Sequence, residues 1–341
     1  MNLQIAAVWL LASTGTVLAD DWKDCKGDDY QKVIAGCSKA LKSGNLNRTD
    51  TVDAFSNRAW ALYNTNENDK ALADYQECTR QSPENAICHN GMAAVHIEKQ
   101  QYVDALTAAD KAIAINPRYQ YAYLNKGRAL DAMGSYNKAI EQLDSAIDIA
   151  PGWSNAYYRR GHALANADRF EEAIADYDRA LLINPKYTEV YGLRGFAHRV
   201  LKHNDKALAD LNTAVASDDK DDWSVAMRGT VYLASGENEK ALADLERAIA
   251  MSPSTNWYHN QRGIALMRLG KTQSALQDFE RVLKDLPNNA IANANLGLIK
   301  EKAGDKDAAK AAFRAAMSGE VSDPDSREAQ KMALEHLTGL K

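Results

Sequence analysis

Strong charge of either sign is missing from this sequence. Forty-one Lys and Arg stand against 46 Asp and Glu, a net charge of −5, so the electrostatic footprint of a nucleic-acid binder is absent. Proline and glycine are scarce, at seven and 19 of 341 residues, which excludes a disordered chain. Histidine is scarce too. His89, His96, His162, His198, His203, His259 and His336 are scattered, with neither H-E-x-x-H spacing nor a closed Cys/His set, so no metal site is expected. G-x-S-x-G, a phosphate-cradling glycine loop and the kinase set are all absent, leaving no sign of an enzyme or a cofactor.

Long apolar runs are also lacking. The stretch from Ile5 to Ala19 is interrupted by Ser13, Thr14, Gly15 and Thr16 and is too short to span a bilayer comfortably. Val17-Leu18-Ala19 followed by Asp20-Asp21 reads instead as a signal-peptidase site, although the segment has no Lys or Arg before its apolar part. Residues 1–19 are therefore expected to be a signal peptide. The mature chain is expected to be periplasmic or secreted, with no membrane insertion after cleavage. Cysteines number only four, Cys25, Cys37, Cys78 and Cys88, and export favours pairing them. Of the three possible connectivities, Cys25–Cys37 and Cys78–Cys88 close the shortest loops and are preferred; unpaired small core residues are the alternative.

What the sequence does have is a period. Pro83, Pro117, Pro151, Pro185, Pro253 and Pro287 fall on one 34-residue ladder whose missing rung is Asp219. Ten residues after each rung stands a small residue: Gly127, Gly161, Gly195, Gly229, Gly263 and Gly297, with Ala59 and Ala93 in the earlier units. Twelve further on, alanine recurs in every unit at Ala71, Ala105, Ala139, Ala173, Ala207, Ala241, Ala275 and Ala309. Seven beyond that come Cys78, Ala112, Ala146, Ala180, Ala214, Ala248, Val282 and Ala316, two helical turns along the same face. Each unit thus reads as a helical hairpin closed by proline.

This pattern, as in Tyr123 to Pro151 (YLNKGRALDAMGSYNKAIEQLDSAIDIAP), resembles the tetratricopeptide repeat. The resemblance implies an all-α, right-handed superhelical solenoid of about eight helix-turn-helix repeats: 52–85, 86–119, 120–153, 154–187, 188–221, 222–255, 256–289 and 290–323. Residues 20–51 would form a cysteine-containing segment with a capping helix. Residues 324–341 would cap the other end, with Ala329, Met332, Ala333 and Leu337 on one stripe. The N-terminal segment with its two cysteines resembles exported bacterial members of the family.

The units also share a substitution pattern. Where Arg precedes the small residue, at Arg58, Arg160, Arg194, Arg228 and Arg262, Asp stands sixteen residues later, at Asp74, Asp176, Asp210, Asp244 and Asp278. Units lacking one lack both: Met92 with Ala108 and Leu296 with Ala312, while Lys126 with Gln142 is a polar variant. Partly buried ion pairs within each hairpin are expected.

The family resemblance implies ligand binding along a concave surface lined by the first helices, and so a protein–protein interaction scaffold or adaptor holding a peptide or protein partner. The candidate lining is Tyr121, Arg128, Tyr158, His162, Phe196, Arg199, Trp223, Trp257, Asn260, Met267 and Arg268, since aromatic and Arg side chains are favoured interface anchors. The Lys/Asn pattern that clamps a partner's C-terminal carboxylate in some family members is absent, the matching positions being Leu124, Arg128, Tyr158, His162, Gly192 and Phe196. A self-associating structural array, or an accessory subunit of an envelope complex, is the alternative role.

Overall fold

The computed structural model describes residues 20–321 and 323–340; the proposed signal peptide lies outside them. A short helical stretch at 20–25 precedes α1 (Tyr30–Ser43). Four hairpins follow: α2 (Arg48–Asn64) with α3 (Asn68–Gln81), α4 (Ala86–Glu98) with α5 (Tyr102–Ile115), α6 (Gln120–Ala132) with α7 (Tyr136–Ile149), and α8 (Ser154–Asn166) with α9 (Phe170–Ile183). Four more are α10 (Thr188–Val200) with α11 (Asn204–Ser217), α12 (Asp222–Ala234) with α13 (Asn238–Met251), α14 (Asn256–Arg268) with α15 (Thr272–Asp285), and α16 (Ala290–Lys302) with α17 (Lys306–Met317). The last helix is α18 (Pro324–Gly339). No strand occurs among the described residues. The chain divides into two compact units, one running through Ile183 and the other from Asn184.

Each hairpin turns at the same register. Asn66, Gln100, Gly134, Asp168, Lys202, Gly236, Gly270 and Gly304 all have φ between 58° and 82°, a left-handed conformation that β-carbons disfavour. Four of the eight positions are glycine and four are not. Replacing Gln100 with Gly should therefore raise stability by roughly 0.5–1 kcal/mol, the relieved strain less the greater chain entropy of an unfolded glycine. Denaturant midpoints of the two proteins measure this, and an unchanged or lower midpoint contradicts it.

Between the two helices of a hairpin, a small residue on the first faces a large one on the second. A β-carbon added at Gly127 would stand 2.7 Å from Leu143, at Gly195 2.8 Å from Leu211 and at Gly263 2.6 Å from Phe279. Gly161 meets Tyr177, Gly229 meets Leu245 and Gly297 meets Phe313 in the same way. The large partner always lies sixteen residues after the small one, a rule that brings the helices within close packing distance. The second hairpin breaks it with Ala93 and Ala109. There Tyr75 of the preceding hairpin lies over Gly91, a position that holds Asn57, Asn125, Arg159, Leu193, Met227, Gln261 or Asn295 elsewhere. The tyrosine is 3% exposed. The recurrent alanines from Ala71 to Ala309 are all fully buried.

The prolines end each second helix, and their carbonyls are met from the next hairpin. His89 Nε2 lies 2.9 Å from the Pro83 carbonyl and His259 Nε2 3.0 Å from that of Pro253, so each ring nitrogen carries its proton there. Tyr123 donates to Pro117, Tyr157 to Pro151, Tyr191 to Pro185 and Asn293 to Pro287. The donor is always six residues after the proline. In the unit where Asp219 replaces proline, Val225 holds that position and is fully buried.

At the N-terminal end Cys25 and Cys37 are paired, with Cα atoms 4.5 Å apart, fastening residues 20–25 to α1. Cys78 and Cys88 are paired across 6.2 Å between α3 and α4. At the other end α18 is capped by Asp323, whose side chain accepts from the Ser326 amide. Its Ala329, Ala333 and Leu340 pack into a cluster with Ile291, Ala294, Phe313 and Ala316, joined by the half-buried Met332 and Leu337.

Candidate functional site

The five Arg–Asp sets recur with one geometry. Arg58 donates through Nε and a terminal nitrogen to the two oxygens of Asp74 at 2.7 Å each. Arg160 does so to Asp176, Arg194 to Asp210, Arg228 to Asp244 and Arg262 to Asp278, all between 2.6 and 2.8 Å. The aspartates are 5–11% exposed and the arginines 18–27%. In Arg58, Arg160 and Arg228 the remaining nitrogen reaches backward. Arg160 Nη1 donates to Asp144 at 2.6 Å and Arg228 Nη1 to Asn212 at 3.1 Å, each in the preceding hairpin. Each such guanidinium therefore ties three helices, where the sequence suggested two. Hydrogen bonding to Asp176 raises the pKa of Arg160 further above its ordinary value. Lys126 departs from expectation: it pairs with Asp110 at 2.8 Å, in the preceding hairpin. With their donors committed in this way, these cations are structural.

The candidate lining residues divide by register. Tyr158 and Asn260 are 8% and 1% exposed, and share their register with the buried Leu124, Gly192, Ala226 and Ala294. This row packs against the following hairpin, where a β-carbon at Gly192 would meet Ser224 and Trp223 and where Asn260 donates to Asn289, so Tyr158 and Asn260 are corrected to buried packing positions. In the N-terminal unit Arg128 is spent on Glu98 at 2.8 Å, to which Tyr63 also donates, and His162 Nδ1 lies 2.8 Å from Asp131. These contacts cross-link successive first helices. Tyr121 is exposed and meets Trp153 edge-on at 4.7 Å, while Trp60 is 53% exposed and stacks on Tyr63 at 5.8 Å.

In the C-terminal unit Trp223 and Trp257 both pack against the cluster of Leu211, Met227 and Val231, so each is half buried between hairpins. The Phe196 ring stands 6.1 Å from that of Trp223 and beneath the Arg199 guanidinium. His198, beside it, is buried, and that burial pushes its pKa below the ordinary histidine value. Arg268 donates to the Leu233 carbonyl.

Arg199, Trp257, Met267 and Arg268 nevertheless come together with residues that the sequence did not single out. A cavity of about 610 Å³ opens on the face shared by α10, α12, α14 and α16, and α18 closes one side of it. Ile264, Met267, Leu298 and Met332 supply apolar surface, and Gln261, Asn295 and Arg268 supply polar groups. Asp325, in the first turn of α18, enters this space. Its Oδ1 accepts from Arg199 Nη1 at 2.8 Å, and its Oδ2 from Trp257 Nε1 at 3.3 Å and Gln261 Nε2 at 3.4 Å. Among the described residues no three His, Cys, Asp or Glu side chains gather as metal ligands, and no helix is long and apolar enough to cross a membrane.

Comparison with known proteins accords with this architecture. Tetratricopeptide repeat models match residues 56–120, 96–165, 154–187 and 260–327, and a TPR repeat model matches 229–270, together more than half of the chain. Tetratricopeptide repeat protein 28 of Mus musculus is 34% identical over 70 residues, as is its Homo sapiens counterpart; the match covers 20% of this chain and spans 3% of those relatives. Among solved structures, the Cut9–Hcn1 hetero-tetramer of the APC/C is similar with a TM-score of 0.62 and 15% identity, over 93% of this chain and 62% of that one. A tetratricopeptide repeat protein from Parabacteroides merdae matches with a TM-score of 0.57 and 16% identity, over 75% and 99%. Pseudomonas aeruginosa PilF gives 0.56 and 15%, over 62% and 96%. At these identities the likeness is one of fold. On its repeats and their matches, the chain belongs to the tetratricopeptide repeat family.

Proposed function

We propose that this protein is a non-catalytic interaction scaffold that holds a peptide segment of a partner protein against the first helices of its C-terminal unit. We further propose that it does so outside the cytoplasm, the role suggested by its N-terminal sequence and its paired cysteines. One observation carries the reading: the cavity lined from four successive first helices, with Met267, Ile264, Leu298 and Met332 beside Gln261, Asn295 and Arg268. Flexible thioether and aliphatic surface adapts to side chains, and the amide and guanidinium groups beside it are each fixed by one internal acceptor.

Dodecapeptides selected by display on residues 20–341 provide the test. Met267→Glu replaces flexible apolar surface in the groove with a charge and should weaken the selected peptides by at least tenfold, about 1.4 kcal/mol or more, in calorimetric titration. Trp60→Ala in the N-terminal unit should leave them unchanged. Equal affinity for wild type and Met267→Glu sinks the proposal.

A further inference from the structure

The cavity already holds a carboxylate, and it is the chain's own. Acidic residues in a helix's first turn are ordinarily content in solvent near the helix N-terminus. Asp325 instead lies 82% buried, meeting donors 126, 68 and 64 residues away in sequence. Those donors come from α10 and α14, two hairpins apart, and converge on one point.

The fit is incomplete. Arg199 is 13% exposed, held over the Phe196 ring at 5.3 Å, and it meets Asp325 through one terminal nitrogen only. Its Nε is buried and meets no acceptor among the described residues. A guanidinium fork is built for two parallel bonds to a carboxylate, and here one is unmade. The contacts from Trp257 and Gln261, at 3.3 and 3.4 Å, are long. Around them Arg199, Lys202 and Arg268 outnumber Asp325 and Glu328, a locally cationic site within a chain of net charge −5. The hold of α18 on α16 and α17 is separate, running through Ala329, Ala333, Leu340 and Phe313.

We infer that Arg199, Trp257 and Gln261 form a carboxylate-binding site which Asp325 occupies from within, and that the partner's peptide enters by presenting an Asp or Glu side chain that displaces it. This rests on the groove reading above and names the ligand chemistry. Asp325 then acts as an internal competitor: affinity for the incoming carboxylate is reduced by the fraction of molecules in which the site is already filled. An acidic peptide is the occupant that the donor set and the charge balance favour.

The test uses residues 20–341 and two fluorescein-labelled, C-terminally amidated dodecapeptides, one alternating Leu with Glu and the other Leu with Gln, read by anisotropy. The Glu peptide is expected to bind wild type about tenfold more tightly than the Gln peptide, the scale of one charge-assisted hydrogen bond. Asp325→Ala should tighten the Glu peptide about tenfold more and leave the Gln peptide unchanged. Arg199→Met should make the two peptides equal. Helical circular dichroism and melting of each variant show that α18 remains in place. Equal binding of the two peptides to wild type and Asp325→Ala overturns the carboxylate site while leaving the groove intact. If neither peptide binds Asp325→Ala, the site is likewise overturned, and the display-selected peptides decide the groove independently. If Asp325→Ala forms dimers that the Glu peptide does not disperse, the occupant is a second copy of the chain and the inference is wrong.

Discussion

Asp244→Ala is expected to lower the free energy of unfolding by about 3 kcal/mol, whereas Arg228→Met combined with Asp244→Ala should cost only about 1 kcal/mol. Asp244 takes two hydrogen bonds at 2.8 Å from Arg228, whose side chain is 18% exposed. Removing the carboxylate alone leaves a desolvated guanidinium with Asn212 as its one remaining partner. Removing both charges leaves a methionine over packed helices, the solution the chain itself uses at Met92 with Ala108. Equilibrium urea unfolding of the two variants and the parent measures the difference. A single variant no less stable than the double one would show that leaving the guanidinium without its carboxylate costs nothing, and the three-helix tie would lose its energetic meaning.

Phe279→Ala should be the more damaging core change, at about 3–5 kcal/mol. The ring is fully buried and fills the space that Gly263 leaves on the facing helix. The size rule makes a sharper claim than the loss itself. Gly263→Leu in the wild-type background forces a side chain into the Phe279 ring and should cost about 1–3 kcal/mol or more. Combined with Phe279→Ala, the same leucine occupies the vacated volume, so the double variant should be more stable than Phe279→Ala alone. Additive losses in the double variant would mean that the two positions do not share one cavity.

The repeat and its small residues were legible because they are periodic. Helical hairpins stacked on like neighbours impose the same steric demand every 34 residues, and the prolines and alanines record it. The large partners of the glycines are equally periodic, sixteen residues on, but they vary among Leu, Tyr and Phe, so only their volume repeats. Tyr158 and Asn260 were misplaced for a related reason. An aromatic and an amide suggest an interface, yet their register with Leu124 and Ala226 assigns them to the interior. Asp325 was beyond reach altogether. It belongs to no repeat, and its partners on α10 and α14 are fixed by the path of the whole C-terminal unit, which no local pattern encodes.

The central claim is that the first-helix face of the C-terminal unit receives the partner. Photo-crosslinking tests it most directly, with a benzoyl-phenylalanine at position 267 in one protein and, in another, at the exposed outer position Leu182, each exposed to the display-selected peptides and mapped by mass spectrometry. Adducts from position 267, and none from position 182, are predicted. Adducts from position 182 alone, or equally from both, would contradict the account.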